Sequence, residues 1–366
     1  MKRISALLLC LMLVLLCGCN KAPATETQAP TTTAATTEPT TEPTTVPTEP
    51  TEPPVLYRHP LTGAPLDEPF TGRPVAVSIG NTKAALPQHG ISMADVFFEI
   101  EAEGSITRFL PIFTNLSETA TIGPIRSART FFNNVAAGYN APIAHCGGSD
   151  RGIRGYYDIS GSKIESWNHI DQFTYGSKYF FRDMDRYNYQ DYAWEHCLFT
   201  TGELMQTALS ALEYETGEEW NLGFTFADDA ALNGETANEI VVTFLGTKTT
   251  ELTYDANTGL YAMFQYDREL VDGVTDEQVC FKNILVLYAT QKKERDSNYV
   301  RSYYELIGEG EGYYALDGKI VKIKWSRESV KEPFVYTMED GTPVTFGVGT
   351  TYIGISSTKS TPISYQ

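Results

Sequence analysis

The chain has 366 residues, of which 28 are Lys or Arg and 46 are Asp or Glu, a formal charge of −18. So acidic a chain lacks the basic face that general nucleic-acid binding needs, and the same charge argues against an anionic lipid surface as its main partner. Its six cysteines, Cys10, Cys17, Cys19, Cys146, Cys197 and Cys280, include no Cys-x-x-Cys spacing, which argues against a disulfide framework or a structural zinc site.

At the start, Lys2 and Arg3 precede an apolar run from Ala6 to Leu16, followed by Cys17, Gly18 and Cys19. A charged head, an apolar stretch too short for a comfortable span and a small residue before a cysteine describe a secretory signal, residues 1–18. Leu16 at minus three and Gly18 at minus one fit cleavage before Cys19 with lipid, such as palmitate, attached there. The acyl chains, not a helix, would then hold the chain to the outer face of the cell membrane. An ordinary signal peptide and an uncleaved anchor are the competing readings.

Residues 19–54 carry the lipidated cysteine and a Thr/Pro/Glu-rich linker with a loose Thr-Glu-Pro-Thr repeat, which cannot bury a core. At roughly 3.1 Å per residue in an extended, polyproline-like form, it reaches on the order of 100 Å, enough for a stalk through a thick wall. The remaining chain, about 310 residues, is enough for two domains with substantial cores, 55–213 and 214–366.

In the first domain, Val75, Val77 and Ile79 alternate with small residues and predict a strand ending at Gly80-Asn81. A second strand is predicted over Val96–Ile100. Along it Phe97, Glu99 and Glu101 share a face, with Glu103 next if the extended form continues, so three carboxylates line one side and need positive charge opposite. That charge is near: Arg108, Arg126, Arg129, Arg151 and Arg154 fall between Gly104 and Arg154, with no lysine and only Glu118 and Asp150 as acids. Three readings stay open. The arginines pair internally with Glu99, Glu101 and Glu103; or they form a cradle for a carboxylate or phosphate, which guanidinium holds with paired hydrogen bonds; or they face another protein.

Pro124 and a Ser127 cap place Arg126 and Arg129 at the start of a helix over Thr130–Ala137, where unpaired amides favour an anion. A strand Ala141–His145 follows, then Gly147-Gly148-Ser149-Asp150 and a predicted second helix. A strand, a glycine turn and a helix is where open α/β sheets hold ligands. The candidate ligand-binding set is therefore Glu101, Arg108, Arg126, Arg129 and Ser149. Glu99, Glu103 and His145 are the candidates for acid-base work. His145 and Cys146 are adjacent and, within a strand, point to opposite faces, so they do not form a nucleophile-base pair. No metal-ligand spacing appears, and no cofactor is implied. The aromatic-rich stretch from Ile159 to Thr200 reads either as core or as a stacking platform for sugar rings. A helix from Glu203 to Leu212 closes the domain.

The second domain reads as mostly antiparallel sheet, with strands over Ile240–Leu245, Leu252–Tyr254, Leu260–Tyr266, Phe281–Ala289, Tyr313–Leu316, Lys319–Trp325, Phe334–Met338, Val344–Phe346 and Thr351–Ile355. Asn257-Thr258-Gly259, Asp317-Gly318 and Asp340-Gly341 supply turns between them. The glycines of Gly308–Gly318 read as turns, because no Lys-Ser or Lys-Thr ending makes them a phosphate loop. Of the three cysteines in the folded part, one pair plus a free thiol and three separate thiols both remain open.

RPVAVSIGN (Arg73–Asn81), the segment Ala94–Phe113, IGPIRSAR (Ile122–Arg129), HCGGS (His145–Ser149), Glu195-His196, Asn283 and Gly308–Gly318 together resemble the YerB-like lipoprotein family. The resemblance covers nearly everything after the linker. It implies a membrane-anchored bacterial lipoprotein of two domains with no agreed molecular activity, and it brings no catalytic residues. The family usually has a small residue where Cys146 stands. The expectation is an α/β to α+β protein, with a mixed-sheet α/β first domain and a β-rich, mainly antiparallel second domain. Two functions fit it: binding an anionic envelope component or a protein partner through an arginine-bearing cleft, or an envelope hydrolase or transferase using the Glu/His groups.

Overall fold

The computed structural model describes residues 57–102, 106–149, 156–157, 163–165, 168–214, 222–244, 248–296, 299–361 and 363–366. The signal, Cys19, the linker, Glu103, Arg151 and Arg154 lie outside them.

The first half supplies β1 (Val75–Val77), β2 (Val96–Glu101), β3 (Thr107–Phe113), α1 (Thr130–Gly138), β4 (Ile143–His145), β5 (His169–Asp171), α2 (Met184–Tyr189) and α3 (Gly202–Ala211). The second half supplies β6 (Glu239–Thr243), β7 (Thr249–Asp255), β8 (Leu260–Gln265), β9 (Asn283–Ala289), β10 (Gly308–Leu316), β11 (Lys319–Arg327) and β12 (Thr351–Ser357). A mixed α/β first half and a β-rich second half are thus both present.

The halves share one sheet. Its order is β5-β4-β1-β3-β2-β12-β9-β10-β11, with short strands added at the sides. β5, β4 and β1 are parallel, and β3 runs antiparallel to both β1 and β2. The seam between the halves is the parallel pair β2 and β12, from Val96 opposite Thr351 to Ile100 opposite Ile355. A six-stranded sheet built around β8, β7 and β6 is separate from this one.

Both faces of β2 are buried, so the alternation in its sequence does not separate core from solvent. Val96, Phe98 and Ile100 enter a core with Phe131, Phe132 and Val135 of α1. Phe97 enters a second core with Tyr261 and Met263 of β8. α1 is buried along its whole length, because it lies inside the molecule rather than on its surface.

Several local expectations are corrected. Arg129, not Ser127, is the N-cap residue of α1, and no side chain caps it. Gly308–Leu316 is a strand rather than a set of turns, because it pairs with β11 along its length and only Asp317-Gly318 turns. Glycine suits this strand because a Cβ at Gly310 would come within 2.5 Å of the Trp325 indole nitrogen. The charged run Gln291–Asp296 forms a hairpin with Tyr299–Tyr304, a pairing that no apolar alternation signals. The helix expected after Asp150 starts outside the described residues; the described residues that follow, 156–157 and 163–165, pair as short antiparallel strands.

Because β2 has β12 as its neighbour, a fragment ending near residue 214 would present a long apolar edge. Each half expressed alone is expected to aggregate, and co-expression to restore a soluble complex, as read by size-exclusion chromatography. A monomeric, folded first half on its own would show that the shared sheet is dispensable.

Candidate functional site

Glu99 is fully buried at the centre of β2. Its carboxylate accepts from Asn81 Nδ2 (3.1 Å) and Thr107 Oγ1 (2.6 Å) in the first half. From the second half it accepts from Thr250 Oγ1 (2.8 Å), Tyr352 OH (2.9 Å) and Gln265 Nε2, which reaches both oxygens (3.0 and 3.1 Å). Lys248 is buried nearby with its ammonium 4.1 Å from the Tyr266 ring centre. Burial pushes that ammonium down to about 8, against the upward pull of Glu99. Every donor to Glu99 is a fixed side chain and the carboxylate has no access to solvent.

The other carboxylate and arginine candidates do not converge on it. Glu101 accepts from Gln291 Nε2 at 3.3 Å. Arg108 and Arg129 are buried and donate to the carbonyls of Ser127 and Ala128, both at 2.7 Å. Ser149 is buried, and its amide bonds the Ala128 carbonyl.

His145 ends β4 with no exposure. Its Nδ1 donates to the Gly147 carbonyl (2.8 Å), which leaves Nε2 to accept from His169 Nδ1 (3.0 Å). Asp171, opposite it on β5, has Oδ1 3.6 Å away and accepts the amides of Gly147 and Phe173. Burial dominates over Asp171 and pushes the imidazole down to about 4. His145 is a neutral structural residue at neutral pH.

Arg126 is placed differently. The segment 124–128 bonds Gly80 on one side, Leu198 on another, and Cys146 to Ser149 on a third, so it lies across the carboxyl ends of β1 and β4. From there Arg126 meets Glu195 Oε2 at 3.2 Å, with 22% of its own side chain and 59% of that of Glu195 exposed. Arg126 holds the Glu195 carboxyl below the usual range. Cys146 Sγ, bonded to Gln172 at 3.4 Å, feels Arg182 and Arg126, yet burial is the larger effect and pushes the thiol up. Cys146, Cys197 and Cys280 are all free thiols.

The aromatic stretch divides between its two readings. Tyr179, Phe180 and Phe199 are core, whereas Phe173, Phe181, Tyr187, Tyr189 and Trp194 are exposed. Arg182 stacks on Trp194 (4.1 Å), and Tyr187 meets Trp194 edge-on (5.1 Å). Arg182, Glu195 and Trp194 were not among the site residues inferred from the sequence; the signal for them was the mixture of arginine and acid with aromatics. Among the described residues, no group of three or more His, Cys, Asp or Glu side chains is placed to hold a metal ion.

Residues 61–215 match the N-terminal domain, and residues 240–353 the C-terminal domain, of a family described as a protein of unknown function, DUF3048. The chain belongs to the DUF3048 family. It is 28% identical over 300 residues to the Bacillus subtilis (strain 168) protein named "Putative lipoprotein YerB", covering 81% of this chain and 85% of that one. The crystal structure of the YerB protein from Bacillus subtilis is similar with a TM-score of 0.67 at 27% identity, covering 81% of this chain and 96% of the other. The YerB-like resemblance and the fold class therefore hold. Likeness to a lipoprotein fits lipid-anchored membrane association. In this DUF3048 chain Glu99, Arg126, His145 and Glu195 all fall within the N-terminal match.

Glu99→Gln places an amide among donors and is expected to cost at least about 3 kcal/mol in urea unfolding. A loss below about 1 kcal/mol would mean that the network does not bind the halves. The depressed pKa of His145 gives a second expectation. As pH falls from 6.5 toward about 4 the unfolded state takes up a proton that the folded state refuses, so stability declines through that window and levels off below it. The wild type should lose on the order of 3 kcal/mol more than His145→Gln across this range. Parallel pH profiles for the two proteins would contradict the assignment.

Proposed function

We propose that this DUF3048 chain is a non-catalytic protein of the cell envelope, tethered by lipid on Cys19 at the outer face of the membrane, that binds an anionic envelope ligand through the Arg126 surface. One observation carries the reading: Arg126 brings a partly accessible guanidinium to the carboxyl ends of β1 and β4, with an exposed carboxylate as its ion-pair partner. Such a pair is weak, and an incoming phosphate or carboxylate can displace Glu195 into water without stranding a buried charge. Arg182 on Trp194 and the exposed rings beside it extend the surface for a ligand with sugar rings.

A hydrolase or transferase needs an acid-base group that a substrate reaches. Glu99 and His145 are sealed inside, and Glu103 lies outside the described residues. The geometry accordingly favours binding.

Wall fragments bearing phosphate should raise the melting temperature of the full chain in detergent, since a ligand at a hundred times its Kd adds about 2.7 kcal/mol. Arg126→Ala should abolish that shift while leaving the unliganded melt unchanged. If neither wall fragments nor inorganic phosphate shift the wild type, the Arg126 surface does not bind an envelope anion and a protein partner becomes the reading to test. For the tether, labelled palmitate should enter the wild type and not Cys19→Ala. Equal labelling of both would place the anchor elsewhere.

A further inference from the structure

We infer that a pocket at the junction of the two halves binds a small zwitterion: an amino acid or short peptide with a free ammonium and a free carboxylate. The pocket has a volume of about 640 Å³, within the range of small-molecule sites. Two walls come from the first half, residues 83–87 and 190–196, and the third from Arg268, Glu269 and Val271 of the second.

The charges lining it are balanced and uncommitted. Lys83 and Arg268 face the cavity together with Asp191 and Glu269, and none of the four makes an ion pair with a described residue. A simple anion would meet two carboxylates and a simple cation two cations. A molecule with one group of each sign satisfies both. Leu86, Pro87, Ala193 and Val271 offer apolar contact for a small side chain. His196, 5% exposed, also lies on the wall.

The walls are rigid. Arg186, buried behind them, donates to the carbonyls of Ala85 (2.7 Å) and Pro87 (3.0 Å) and stacks on Tyr192 (4.0 Å). The Tyr192 hydroxyl donates to the Leu86 carbonyl at 2.6 Å, tying the two first-half walls together. The third wall is fixed by fully buried Asp272, which accepts from the amides of Gly90 (3.0 Å) and Ser92 (2.8 Å). Next to it, the Gly273 amide bonds the Gln88 carbonyl at 2.7 Å. The turn that delivers Arg268 and Glu269 holds Tyr266 at a φ of 56°, a left-handed conformation costly for a bulky residue and kept in place by its hydroxyl bond to Asn81. A pocket organised in advance does not lose ordering entropy when its ligand arrives.

The test is calorimetric titration of the full chain in detergent with unblocked alanine dipeptides of both hands, with the same peptides blocked at either end, and with inorganic phosphate. An unblocked dipeptide should bind with a Kd of about 1 mM or tighter, and blocking either end should weaken it at least about tenfold. Arg268→Ala and Glu269→Ala, both of exposed residues, should each weaken it as much without moving the melting temperature, while Arg126→Ala leaves it intact. Absence of dipeptide binding up to about 10 mM overturns the inference, as does equal binding of blocked peptides or of both pocket variants. Binding lost in Arg126→Ala but kept in the pocket variants also overturns it, and leaves the Arg126 surface as a binding site.

Discussion

The buried carboxylate of Glu99 is the interaction on which the remainder of the molecule depends. Removing a carboxylate from water costs several kcal/mol even after relaxation, and only a full set of donors offsets that. Glu99 has such a set, and it draws the donors from β7, β8 and β12 as well as from its own half. The parallel seam between β2 and β12 otherwise sets mostly apolar residues side by side, Phe97 by Tyr352, Phe98 by Ile353 and Ile100 by Ile355, contacts that a shifted register could also make. A shift of one residue would turn Glu99 toward Phe131 and Val135, where nothing accepts a charge, so the carboxylate fixes the register of the whole sheet.

Buried charges join the halves at two further places. Asp272 of the second half is satisfied by amides of the first. Arg327 of β11, also buried, donates to the carbonyl of Asn134 in α1 (2.5 Å) and to that of Glu332 (2.7 Å). Each is a charge that becomes expensive if its partner segment leaves. A junction held at three separate places by charges of this kind resists hinge motion, which suits a pocket whose walls come from both halves.

How much of this was legible in sequence depended on whether the deciding partner was near in the chain. The strand Val96–Ile100, the helix at Thr130 and a mainly antiparallel second half follow from local alternation and spacing and are present, while the parallel pairing of β9 with β12 does not follow from them. Whether Glu99 faced solvent did not follow, because its covering residues, Thr250, Gln265 and Tyr352, stand more than 150 positions away. Alternation reports two faces and not which is wet; in β2 both are dry. Gly308–Leu316 was misread for a related reason: glycine signals a turn when judged alone, while here the large side chain of Trp325 across the ladder requires it.

The candidate residues show the same limit from the side of chemistry. Glutamate, histidine and arginine gathered before a glycine turn are what a catalytic centre requires, and they are equally what a buried polar core requires. Residue type does not distinguish the two; access does. Glu99, His145, Arg108 and Arg129 are all buried and hydrogen-bonded within the chain, whereas Arg126, three positions before Arg129, rests against an exposed carboxylate at the ends of parallel strands. That difference arises because the segment 124–128 crosses the carboxyl ends of the strands instead of entering the sheet, carrying one arginine outward while Arg108, on β3, stays in the interior. Which arginine is accessible on this fold is therefore set by where the backbone leaves the sheet, and His145 beneath that exit braces it through its bond to the Gly147 carbonyl.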